Sequence, residues 1–244
     1  YFQKLVVRVV PGDEKEVLFR PKFLTKELPE DNDQAFRLIE QELGHGLEVT
    51  KDLLDASFTS LSDKDKRAKQ KVTKLESLND YLDDEISEAI LWMSRRSLQG
   101  DEGLRTTLLV RMSNLLERLG DHAEDIADLA TGFREKGRVI PKEQLEQLSV
   151  VYGKLRGNLE LMGEDVVKVN EDTKAAIKSD TVVMSARIND IYGEHLERMK
   201  DANVPSDSTI LELLTIMESA NEKVRELAAI ASDYAKLAPR ATAH

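Results

Sequence analysis

The sequence holds no cysteine, one tryptophan and four histidines, and glycine (12) and proline (6) are scarce for 244 residues. Without cysteine there is no disulfide scaffold, no thiolate metal site and no cysteine nucleophile. The shortage of turn formers argues against a sheet sandwich, and a charged fraction of 33% favours long helices. No apolar run approaches the roughly 20 residues that cross a bilayer, and the N-terminus lacks the basic-then-apolar plan of a signal peptide. A soluble, cytoplasmic chain is expected. Positive charge is also in deficit, with 46 acids against 35 bases and a formal charge of -11. That field repels phosphate backbones, so no nucleic-acid partner is expected, whereas cations and basic protein surfaces are favoured. The length suits one large domain or two small ones. Tyr1-Phe2-Gln3 looks like the remnant of a cleavable purification tag, as would precede the excised soluble part of a larger protein.

What is present is helical periodicity. Residues 4–30 stand apart: Leu5-Val6-Val7, Val9-Val10, Pro11-Gly12-Asp13 and Val17-Leu18-Phe19 predict a short hairpin or an extended lead-in. After Pro29, with Asp31 or Asn32 as cap, apolar residues recur at Ala35, Leu38, Ile39, Leu43, Leu47, Leu54, Phe58 and Leu61. Ser62 and Asp63 can cap a second helix that ends at Gln99-Gly100-Asp101, and a third spans about 103–133. Beyond Gly137 and Pro141 the pattern restarts, with helices expected over about 141–169, 172–200 and 206–237. The halves match weakly but at equivalent places: Leu116 to Asp121 aligns with Met217 to Glu222, and Asn79-Asp80 with Asn189-Asp190. The reading is an all-α protein of two tandem three-helix bundles, residues 31–136 and 140–238, set end to end or side by side.

On a helical wheel, Leu115, Leu116, Leu119, Ala123, Ile126 and Ala127 occupy one arc and face a core. Asn114, Glu117, Asp121, Asp125 and Asp128 form a column on the opposite side. In the second helix Glu76, Asp80, Asp83, Asp84 and Ser87 form another, and the two columns can face each other if the helices are neighbours. Like charges four residues apart destabilise a helix by a few tenths of a kcal/mol per pair unless a cation neutralises them. Carboxylates suit magnesium, calcium, manganese or iron, and bundles assemble multinuclear sites from facing helices. A solvated acidic face explains the same spacing without any metal.

The run from Asn114 to Ala127, with Arg118-Leu119-Gly120-Asp121-His122-Ala123 at its centre, resembles the hallmark helix of PhoU proteins, helical regulators of bacterial phosphate uptake. Glu76-Ser77-Leu78-Asn79-Asp80 is similar to the E-x-x-x-D motif on the partner helix of that family. The resemblance implies two tandem three-helix repeats, a non-enzymatic regulatory role, and surface carboxylates that bind iron, zinc or manganese, carried here by Glu76, Asp80, Asn114, Glu117, Asp121 and Asp125. A homodimer is compatible with it. The lead-in Arg20-Pro21-Lys22-Phe23-Leu24, with Gln34-Ala35-Phe36 and Glu40-Gln41-Glu42-Leu43, looks more like the cytosolic tail of sodium/phosphate cotransporters. That would place the chain at the inner face of the plasma membrane with a transmembrane phosphate-transport domain as partner. A free-standing PhoU regulator of a phosphate ABC transporter and its sensor kinase is the alternative. In the second repeat Ala186 replaces Glu76, and Lys223 lies beside Glu222, so any metal is expected on the first repeat.

Other candidates are weaker. His122 reads as a structural, hydrogen-bonded histidine, and His45 and His195 lack a matching constellation. Trp92 and Met93 read as core or inter-repeat packing, and Gly153, Gly157 and Gly163 as sites of close helix approach. There is no nucleophile–base pair, phosphate loop or dinucleotide fingerprint. A di-iron enzyme needs Glu-x-x-His pairs, but Leu119 and Tyr192 stand three residues before His122 and His195. A metal-free helical scaffold remains as a second alternative.

Overall fold

A computed structural model describes residues 19–62, 66–163, 165–200 and 208–237. Six helices, α1 (Asn32–Ser62), α2 (Lys66–Ser94), α3 (Glu102–Glu135), α4 (Lys142–Leu161), α5 (Glu171–Met199) and α6 (Thr209–Leu237), are joined by short segments, with one 3-10 turn at Val166–Lys168. No strand occurs among the described residues. The hairpin expected within residues 4–18, the Asp63 cap and the break at Asn203-Val204-Pro205 lie outside them. Residues 19–30 form an extended lead-in.

Each helix follows from its stripe. Along α1, Ala35, Phe36, Ile39, Leu43, Leu47, Leu54 and Leu61 are buried, and Asp31 caps the start by accepting from the Gln34 N–H at 2.8 Å. Asn170 caps α5 through the Thr173 N–H, also at 2.8 Å. The expected boundaries shift at two places. The second helix stops at Ser94, ahead of Gly100, and α4 stops at Leu161 because Gly163 turns the backbone left-handed, with φ 75°. Gly163 is thus a terminator, and a Cβ at Gly153 or Gly157 would meet nothing within 4 Å, so none of the three mediates close packing. Met93 is core, but Trp92 is 41% exposed.

Helices α1, α2 and α3 pack mutually, as do α4, α5 and α6, and α3 lies along α6. Arg105 meets Tyr234 and Arg111 meets Glu226, so α3 and α6 run antiparallel and the bundles sit side by side. One continuous apolar core runs through both.

Three buried polar groups fasten this arrangement. Arg105, 4% exposed, stacks its guanidinium 3.8 Å above the Phe36 ring, donates to Tyr234 Oη at 3.3 Å and reaches Glu40 at 3.1 Å. Lys51, 2% exposed, donates to the Gly163 carbonyl of the other repeat at 3.0 Å and to Glu48. Glu42, fully buried, accepts from the backbone N–H groups of Lys22, Phe23 and Leu24 at 3.0, 2.6 and 3.0 Å, and His45 Nδ1 lies 2.8 Å away. Burial alone would raise the Glu42 pKa, but His45 and these three donors together hold it below the usual value. The lead-in that the sequence set apart is therefore bound to α1.

Candidate metal centre

The motif on α3 owes its glycine to packing. A Cβ at Gly120 would overlap the Asn79 amide nitrogen and stand 3.2 Å from both Asn79 Cγ and Leu53 Cδ2. Asn79, 3% exposed, fills that space from α2, donating to the Leu116 and Glu117 carbonyls at 3.3 and 3.4 Å while accepting from the Thr50 hydroxyl at 3.3 Å. This joint locks α1, α2 and α3 in register. It also fixes the rotation of α2, because Asp80 follows Asn79 directly and must emerge on the α3 side.

There Asp80 joins Glu117 and Asp121, each offering an oxygen within 4.8 Å of the others. Glu76, one turn before Asp80, is close enough to share a hydrogen bond with it, and its pKa is pushed up to about 7 by burial, then by Asp80 and Glu124. Glu117 is pushed up to about 7 by burial, then by Asp121, Asp83 and Asp80. Neighbouring carboxylates therefore repel both glutamates, and at Glu76 the Ser77 hydroxyl offsets part of this. The two expected acidic columns do face each other.

The sites divide accordingly. Asp80, Glu117 and Asp121 come together, Glu76 joins them through Asp80, Asp125 lies outside the group, and Asn114 is exposed. Asp125 instead acts on His122, whose pKa burial lowers. The His122 Nε2 is buried without a hydrogen-bond partner among the described residues, so the expected hydrogen bond is absent at that nitrogen. Asp83 is drawn aside by the Ser113 hydroxyl at 2.7 Å, and Asp128 is neutralised by Lys69. Glu124, three residues beyond Asp121, escapes the reading of the sequence. Its signal is a carboxylate one turn along the same helix.

The carboxylates fit a hard cation. Metal–oxygen bonds of about 2.0–2.6 Å let one ion bridge oxygens about 4–5 Å apart, and an all-oxygen anionic donor set suits manganese, iron, magnesium or calcium better than a soft metal. Asp80, Glu117 and Asp121 are the direct candidates, with Glu76 in reach through Asp80.

The second repeat solves the same packing problem with the parts exchanged. Asn221, aligned with Gly120, sends its amide across to the Thr181 carbonyl at 3.0 Å and the Ser185 hydroxyl at 3.1 Å, and Ser185 donates to Glu218 at 2.6 Å. Ser185 therefore stands opposite Glu218 as Asn79 stands opposite Glu117. Asn189 and Asp190, expected to match Asn79 and Asp80, lie one turn further along and are exposed. In the contact register, exposed Val182 and Ala186 replace Glu76 and Asp80, so both α5 carboxylates are missing. Among the described residues, only the first repeat assembles such an acidic group.

The family model of the PhoU domain matches residues 45–130, the span that carries Asn79, Gly120 and all four gathered carboxylates. Residues 45–130 are thus similar to a PhoU domain. The fold of the chain is similar to the crystal structure of PhoU from Pseudomonas aeruginosa, with a TM-score of 0.68 and 14% sequence identity, over 85% of this chain and 97% of that one. At that identity the likeness speaks for the PhoU fold across both repeats. No curated protein matches the chain.

Proposed function

We propose that this chain is a non-enzymatic regulator of phosphate transport whose state depends on a cation held by Asp80, Glu117 and Asp121. The observation that carries the reading is the convergence of these carboxylates on the face that the PhoU domain builds, with two neighbouring glutamates pushed up to about 7. A bound cation neutralises the repulsion between α2 and α3 and so ties those helices together. The chain's own residues do the rest: Asn79 and Gly120 set the register, and the first-repeat carboxylates supply the charge.

The partner in this reading is a transmembrane phosphate-transport domain at the inner face of the plasma membrane. Attachment as the cytosolic part of a sodium/phosphate cotransporter is favoured by the lead-in, because Lys22, Phe23 and Leu24 of one motif are held by Glu42 of the other. The free-standing PhoU reading is favoured by the coverage of nearly the whole P. aeruginosa chain.

The test has two arms. Chelator-stripped protein should gain thermal stability on adding manganese, iron or zinc, by about 2.7 kcal/mol at a hundredfold excess over Kd, and Glu117→Gln or Asp121→Asn should abolish the gain. Phosphate uptake in cells of the source organism should change when Asp121→Asn replaces the wild-type residue at equal protein level. Unchanged melting with every metal leaves a metal-free scaffold, and unchanged uptake removes the regulatory reading.

A further inference from the structure

The chain's one tryptophan is exposed, and its surroundings are built. Trp92 lies near the end of α2, 41% exposed, at a cavity of about 690 Å3 where the starts of α1 and α3 converge. The Arg96 guanidinium sits 3.6 Å from the ring centre. Arg96 is itself fixed, because it donates to the carbonyls of Leu28, Pro29 and Glu30 and to Asn32 Oδ1. One ring face is thus supported by a rigid cation, and no rotamer freedom need be lost when the rest of the ring is covered. Leu91, the preceding residue on α2, is 53% exposed as well.

Around this platform the charge is one-sided. Glu30, Asp31, Asp33 and Glu102 line the cavity against Arg96 alone. Arg96 gives its donors to neutral oxygens, and Glu102 accepts from Asn32 at 3.1 Å and from the Gln99 N–H at 2.8 Å, both uncharged. Asp31 is occupied as the cap of α1, and among the described residues Asp33 alone of these four acids forms an ion pair, with Arg105 at 3.6 Å. Helix starts account for acids being tolerated here. They do not account for a large aromatic left open beside them.

We propose that Trp92, Leu91 and the surrounding carboxylates form a docking site for a basic, amphipathic segment of a partner protein. The apolar side of the segment covers Trp92 and Leu91, and its lysines or arginines meet Glu30, Asp31 and Asp33. Exposed aromatics in a desolvatable pocket with a charged rim are the usual centres of protein–protein binding energy, and complementary charge sets partner choice and encounter rate. A membrane surface is disfavoured because the rim repels anionic lipid. The site lies apart from the candidate metal centre and does not depend on it.

Because Trp92 is the only tryptophan, its fluorescence reports the event directly. The full chain, in chelator, is titrated with a helical Leu/Lys/Arg peptide free of tryptophan and tyrosine, and with its Leu/Glu counterpart. The basic peptide should give a saturable emission shift that weakens with salt, and the acidic one none. By calorimetry Trp92→Ala should weaken binding at least about tenfold, as for a central aromatic anchor, while Trp92→Phe, which keeps a ring under Arg96, loses less. Glu30→Gln with Asp31→Asn, which preserves the α1 cap, should weaken it severalfold. Asp190→Asn with Glu197→Gln on α5 should not. The proposal is overturned if Trp92→Ala, folded by circular dichroism, binds as the wild type does, if the α5 pair weakens binding equally, or if anionic vesicles shift the emission and the peptide does not.

Discussion

Replacing Gly120 by alanine tests whether the central glycine of the PhoU motif is there for packing. In an unobstructed helix interior the change gains about 0.5–1 kcal/mol, because alanine restricts the unfolded chain and favours helix. Gly132, also in α3, would meet nothing within 4 Å if it carried a Cβ, and it serves as the internal reference, with that gain expected. At Gly120 the methyl group occupies the place of the Asn79 amide. Overpacking costs about 1–3 kcal/mol, and an Asn79 pushed away from the Leu116 and Glu117 carbonyls leaves a buried amide under-bonded at about 1–3 kcal/mol. After subtracting the helix gain, a net loss of about 1–5.5 kcal/mol is expected. Urea unfolding followed by far-ultraviolet circular dichroism measures it, and the slope should stay constant while the midpoint falls. In an Asn79→Ala background the obstacle is gone, so Gly120→Ala should be neutral or stabilising, a coupling of at least about 1 kcal/mol. A Gly120→Ala variant as stable as Gly132→Ala, or one that costs the same in both backgrounds, would refute the reasoning.

Two further outcomes follow from the buried and repelling carboxylates. Glu42→Gln should strip hydrogen-exchange protection from the amides of Lys22, Phe23 and Leu24 while leaving α1 protected, and equal protection in both proteins would mean that Glu42 does not hold the lead-in. Because the Glu42 pKa is lowered on folding, its contribution is present above its unfolded value near 4.5 and disappears as pH falls through the depressed one. Glu76 and Glu117 act in the opposite sense and in another window. Their folded values near 7 exceed the unfolded 4.5, so the stability that these two contribute to the chelated protein is fully present below pH 4.5 and is lost as pH rises through 7. Glu76→Gln with Glu117→Gln should flatten that slope, measured as the urea midpoint against pH, and an unchanged slope would contradict the shared repulsion.

Much of this is legible because helices announce themselves by period. The stripes place all six, and the wheel separates Leu119 and Ala123, which are core, from Glu117 and Asp121, which are not. Single-residue punctuation is harder. Gly163 has the spacing of a packing glycine and is a left-handed stop, since φ cannot be read from residue type alone. Its place at the end of the α2 stripe puts Trp92 in the interior, but the helix gives way to a turn at Arg95 and Arg96 and the ring is left 41% exposed. The repeat register fails for a subtler reason: Asn79-Asp80 and Asn189-Asp190 share letters, but the amide that bridges the helices comes from α2 in one half and α6 in the other. Asp125 looks like a ligand on a wheel because a wheel gives direction and no distance across to the neighbouring helix.

The fastening of Arg105 and Lys51 bears on how such a duplicated chain can lose its structure. Arg105 belongs to the first repeat, yet Tyr234 of the second covers it, and Lys51 spends its charge on a carbonyl beyond the repeat boundary. Separating the halves at Gly137 would take the Tyr234 hydroxyl from Arg105 and the Gly163 carbonyl from Lys51, leaving each cation with its first-repeat carboxylate, Glu40 or Glu48, alone. Two copies of one helical plan thereby share one continuous core, so a cation held by the first copy would stabilise the second as well.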